Sequence, residues 1–96
     1  MSSDEPTAEQ LREQLEDELK RLKVSDVLVQ TVYTVSSLGY RKLTPEDRDL
    51  PQAQLAIEVL RAVVPLLEGT VPEQLVRDLN QVRANMQLAY AKAAAV

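Results

Sequence analysis

Ninety-six residues with a formal net charge of −4 make one small domain and leave no room for a catalytic domain beside a separate substrate domain. With 45% hydrophobic and 27% charged residues, the chain is neither disordered nor collagen-like in composition. The absence of His and Cys excludes thiolate catalysis, disulfides, zinc or haem ligation by those side chains, Ser-His-Asp relays and charge switching near neutral pH.

In chain order, the start MSSDEPTAEQ lacks the basic-then-apolar arrangement of an export signal, and residues 1–6 are expected to be disordered. A first helix is predicted over 7–23, opened by Thr7 with Gln10 three residues on, after Pro6 has limited helix upstream. Leu11, Leu15, Leu19 and Leu22 recur at spacings of four, four and three, one apolar stripe on an otherwise polar rod. Glu16–Lys20 and Asp17–Arg21 stand in the favourable acid-first order for i,i+4 pairs. The charge is uneven: residues 1–19 carry −6 and the remainder +2. This acidic amphipathic arm reads either as a solvated helix face or as a contact for a basic partner.

The body is predicted over 25–96. Ser25 and Asp26 suit the start of a second helix and Gly39 a left-handed C-cap. The segment Val27–Val35 also supports a strand, because VLVQTVYTV is rich in β-branched residues; the cap signals and the lack of a second strand to pair with favour helix. With no charge between Asp26 and Arg41, this helix is expected to be the most buried element. Tyr40–Asp49 reads as a loop. Asp49 or the Leu50-Pro51 step opens a third helix. Its main stripe is Ala53, Ile57, Leu60, Val64 and Leu67, and a second stripe is Leu55, Val59, Ala62 and Leu66; two apolar faces imply contact on two sides. Pro65 either kinks this helix or ends it in an irregular turn before Gly69. Thr70-Val-Pro-Glu73 reads as a capping box opening a fourth helix to about Ala93. Its seam is Leu75, Leu79, Val82, Met86, Ala89 and Ala93, with Glu73 and Arg77 paired outside. Its second half is apolar most of the way round, which predicts a dimer face including Leu79, Met86, Leu88 and Tyr90.

No residue pattern carries a reaction. Gly39 and Gly69 are too far apart to cradle a phosphate. Glu13, Glu16 and Asp17 are interleaved with bases and no turn wraps them round a metal ion. Glu46 and Asp47 lack a companion nucleophile. No cofactor is therefore expected. Lys20, Arg21, Lys23, Arg41, Lys42 and Arg48 would form at most a modest patch, which makes nucleic acid an unfavoured partner for an acidic chain. The longest uncharged run, Val27–Tyr40, is 14 residues and too short to cross a bilayer, so no membrane association is expected, and the lack of Cys fits a cytoplasmic location.

From about Val24 to Lys92 the chain resembles an uncharacterised bacterial family, domain of unknown function eighteen forty-four. The resemblance is carried by Leu38-Gly39, the Asp-Leu-Pro step with Ala53 and Ala56-Ile57 leading to Leu60, the Leu67-Glu68-Gly69 end, and Leu75, Asp78-Leu79 and Tyr90. These are packing and capping positions, so the resemblance implies a short all-helical protein and transfers no site residue. The chain departs from that pattern at Pro65, where an ordinary helix former is expected.

Together these readings predict an all-α bundle of about four helices, an acidic arm plus a three-helix body, completed by homodimerisation through the fourth helix. The function expected is a non-enzymatic cytoplasmic interaction or assembly protein, engaging a protein partner through Leu11, Leu15, Leu19 and Leu22. The alternative is a binder of a small apolar or amphipathic ligand between the helices.

Overall fold

The computed structural model describes residues 5–95; of the expected disordered start, residues 1–4 lie outside the described residues. The described residues form four α-helices, α1 (Ala8–Arg21), α2 (Val24–Arg41), α3 (Leu50–Val63) and α4 (Glu73–Ala94), with a 3-10 turn at Val64–Leu67. Among the described residues there is no strand, and Val27–Val35 lies wholly within α2.

Local chemistry sets several boundaries. The Thr7 hydroxyl accepts from the Gln10 N–H at 3.1 Å and the Gln10 side-chain oxygen accepts from the Thr7 N–H at 2.9 Å, the reciprocal box that opens α1. Asp49 Oδ1 accepts from the Gln52 N–H at 3.3 Å and caps α3 ahead of Pro51. Pro65 cannot donate to the α-helical ladder, and the chain tightens there into the 3-10 turn. Gly69, at φ 82°, then supplies the left-handed residue that ends the segment.

Four expectations are corrected. First, α2 begins at Val24, with Lys23 as its cap; Asp26 sits in the first turn and its Oδ2 accepts from the Lys23 N–H at 3.2 Å. Second, Gly39 ends nothing. It is buried inside α2, which runs on to Arg41, and a Cβ there would meet Ala56 Cβ at 2.6 Å and Met86 Sδ at 3.0 Å. Third, Thr70 forms no capping box. Its hydroxyl donates to the Leu67 carbonyl at 2.9 Å, and α4 is capped by Pro72 without a side-chain bond. Fourth, the central element is α3, which packs against α2, α4 and the 3-10 turn, whereas α2 buries only Val32, Ser36 and Gly39.

The core joins Val32 of α2, Ala53, Ala56, Ile57 and Leu60 of α3, Val64 and Leu67 of the turn, and Val76, Leu79, Met86 and Ala93 of α4. The main stripe predicted for α3 is thus buried throughout. The close approach at Gly39 lets α2 lie against α3 and α4 together, and Tyr40 ties the same crossing by donating its hydroxyl to the Val82 carbonyl at 3.3 Å. Burial pushes the Tyr40 phenol above its ordinary value of 10.0. The loop after α2 is closed by Asp49 N–H to Lys42 O at 2.8 Å and by an Arg41–Asp47 ion pair at 3.0 Å.

α1 stands apart. It buries no residue and packs against no other helix. The radius of gyration is accordingly 18.7 Å, against roughly 12–13 Å for a compact chain of this length.

Candidate functional site

Among the described residues, the exposed large apolar side chains gather mainly on α1 and on the face of the α2–α3 pair. Leu11, Leu15 and Leu19 on α1 and Leu22 at its C-cap are 47%, 60%, 67% and 52% exposed, so the whole predicted partner stripe faces solvent. The expected ion pairs Glu16–Lys20, Asp17–Arg21 and Glu73–Arg77 do not form; among the described residues the bridges are Arg41–Asp47 and Arg61–Glu58. Exposed pairs contribute too little to hold long side chains in one geometry. α1 is therefore a helix of 14 residues near the length at which isolated helices are marginal in water. Nothing in the body supports it.

The second surface was visible in the sequence only as an extra stripe on α3. Leu55 and Leu66 are exposed, Val59 is half-buried and Ala62 is open. Alongside them α2 presents Val24, Val27 and Leu38, all half exposed or more. Thr31 and Thr34 occupy the same side of α2, and their hydroxyls donate back to the Val27 and Gln30 carbonyls, so neither needs a partner for its proton. Between the two helices runs an open apolar groove of about 190 Å³ bordered by Val35, Leu38, Leu55, Ala56 and Val59, where Lys42 is the one charged side chain among the described residues. The two-sided apolar pattern of α3 implied contact on both sides; the body covers one.

The dimer face predicted on α4 is not presented. Leu79 and Met86 are 1% and 0% exposed because the chain's own core takes them, and Ala89, Tyr90 and Ala93 pack against that core as well. Leu88 is exposed, but it stands at the end of a polar row in which Gln74 donates to Asp78 and Gln81 to Asn85. A single exposed leucine on such a row is ordinary surface. α3 and α2 cover the half of α4 that the sequence reading left bare.

Among the described residues no three His, Cys, Asp or Glu side chains gather as a metal site. Every buried side-chain polar atom there has a hydrogen-bond partner; Ser36, the buried hydroxyl, donates to the Val32 carbonyl at 2.7 Å. The segment Leu50–Leu67, 18 residues at a mean hydropathy of 1.3, is long and apolar enough to cross a membrane by length and composition. Glu58 and Arg61 interrupt it, so it contains no uncharged run of that length. Its buried residues are those of the bundle core. Comparison with models of protein families, with curated proteins and with solved structures gives no match.

Proposed function

We propose that this chain is a non-enzymatic helical interaction protein that captures a protein partner on the leucine stripe of α1, and that it works in the cytoplasm without a cofactor, a membrane or nucleic acid. The observation that carries this reading is the exposure of Leu11, Leu15, Leu19 and Leu22 on a helix that buries nothing. An apolar stripe on a marginal helix is stabilised when another surface covers it, the arrangement of helix-in-groove recognition. Glu58 and Arg61 in the middle of the apolar segment count against a bilayer-spanning role. The chain's acidity, with a net charge of −4, counts against binding nucleic acid.

The second reading, a small apolar or amphipathic ligand between helices, has the α2–α3 groove in its favour. At about 190 Å³ the groove falls below the roughly 300–1,000 Å³ of ordinary ligand pockets, and it is open along its length. The leucine stripe leads for that reason.

The test compares the full chain with a Leu15→Asp/Leu19→Asp variant in sedimentation and in affinity capture, a second copy counting as a partner. Association that the wild type shows and the variant loses, with body unfolding unchanged, is the expected result. Equal association by both chains would refute the assignment, as would unfolding of the body by the variant.

A further inference from the structure

We infer that the uncovered α2–α3 face is the receptor for α1 of a second copy of this chain, the two protomers exchanging their acidic helices reciprocally. The inference rests on α1 being a protein-binding helix and names its partner.

Four observations converge on it. The first is length: Leu11, Leu15 and Leu19 on α1 and Leu55, Val59 and Ala62 on α3 each run along about 11–12 Å of helix axis, and each ridge continues into one further leucine just past its α-helix, Leu22 at the α1 C-cap and Leu66 in the 3-10 turn. The second is charge. Among the described residues Lys42 is the one charged side chain bordering the groove, while α1 carries five acids, of which Glu18, three residues after Leu15, borders the stripe.

The third is the junction. Leu22 has φ −71° and ψ 135°, and Lys23 has φ −103° and ψ 149°, so both carry the chain onward in extended form. A tight reversal of one helix onto the next commonly needs Gly or Asn in the left-handed region, and Leu22, Lys23 and Val24 offer neither. Asp26 Oδ2 also holds the Lys23 N–H at 3.2 Å. The junction thus directs α1 away from its own body and leaves it free to reach another.

The fourth is area. One docked helix about 21 Å long and 10 Å wide covers less than the roughly 1,200–2,000 Å² of a specific interface, and two-fold exchange doubles the contact while closing the assembly. Each body then becomes a four-helix bundle completed by its partner's α1.

With no native cysteine, cross-linking reads the contact cleanly. Leu15→Cys or Leu19→Cys chains carrying a size tag are mixed with untagged Val59→Cys chains and treated with a short bismaleimide; the central positions report whichever way α1 runs. We expect a tagged–untagged product in at least one mixture, and at least a tenfold lower yield when Leu55→Glu is added to the Val59→Cys chain. The circular dichroism of the Leu55→Glu body, expected to match the wild type, separates loss of docking from unfolding. A chain bearing both cysteines that links internally as a monomer would overturn the inference in favour of fold-back. A wild type that sediments as a monomer at every concentration would overturn it too, as would a dimer giving no mixed product. If Leu15→Asp abolishes association and Leu55→Glu does not, the groove assignment alone fails; if Leu15→Asp changes nothing, the reading of α1 itself fails.

Discussion

Gly39 of α2 and Ala56 of α3 meet so closely that a Cβ added to the glycine would lie 2.6 Å from the alanine's. The contact is between groups fixed to two backbones, so no flexible side chain can yield. Gly39→Ala gains about 1 kcal/mol of helix propensity but overpacks the crossing at a cost of about 1–3 kcal/mol. The expected outcome is a net loss of up to about 2 kcal/mol, read as a lower urea midpoint with an unchanged slope. Gly69→Ala meets no atom within 4 Å, yet it forces alanine to φ 82° and is expected to lose about 1 kcal/mol through backbone strain alone.

Leu60 and Leu55 are five residues apart on one helix and answer to different surroundings. Leu60 is fully buried and Leu55 is 55% exposed. Leu60→Ala should cost about 2–5 kcal/mol, a large part of the stability of so small a domain, while Leu55→Ala in dilute protein should stay within about 0.5 kcal/mol. Parallel urea titrations check the contrast; equal losses would mean that the α2–α3 face is covered within a single chain.

The Tyr40 phenol titrates above 10.0 because burial disfavours the phenolate. The folded chain therefore keeps this proton at pH values where the unfolded chain has lost it. Its contribution to stability is fully present below about pH 10 and is lost as pH rises through the folded-state value. Tyr40→Phe removes that component of the alkaline loss, and it forgoes the bond to Val82, worth about 0.5–1.5 kcal/mol. Unfolding titrations of both chains between neutral and strongly alkaline pH measure the difference.

Thr7→Ala breaks the capping box of α1 at a cost of about 0.5–2 kcal/mol to that helix. Since α1 supports no other element, the expected signature is a fall in helical circular dichroism at 222 nm before any heating, with the body's unfolding transition unmoved. A shifted transition would place α1 within the cooperative unit.

The readable parts of this sequence were those decided by neighbours along the chain. Thr7 with Gln10, Asp49 ahead of Pro51, the irregular turn at Pro65 and the left-handed Gly69 all act within about four residues, as do the periodic stripes of α3. Distant contacts decided the rest. Gly39 looks like a helix stop from its own surroundings, and the reason it is glycine lies on Ala56 and Met86. Thr70 has the composition of a cap, but its hydroxyl is drawn to the Leu67 carbonyl by the turn that Pro65 creates. Leu79 and Met86 suggested an interface because the sequence alone does not show which helices cover α4. The leucine stripe of α1 was legible as a stripe; that nothing in the body covers it emerges only once α2, α3 and α4 have packed.

Amide hydrogen exchange at Leu60 and Leu79, compared between the wild type and Leu15→Asp/Leu19→Asp in dilute solution, separates an interface helix from a core helix. Both side chains lie at the centre of the body, 0% and 1% exposed, and their amides report its global opening. If α1 serves only to meet another surface, protection at these two positions is the same in both chains. A drop of several kcal/mol in protection in the variant would make the leucine stripe part of the body's own core and contradict its role as a docking face.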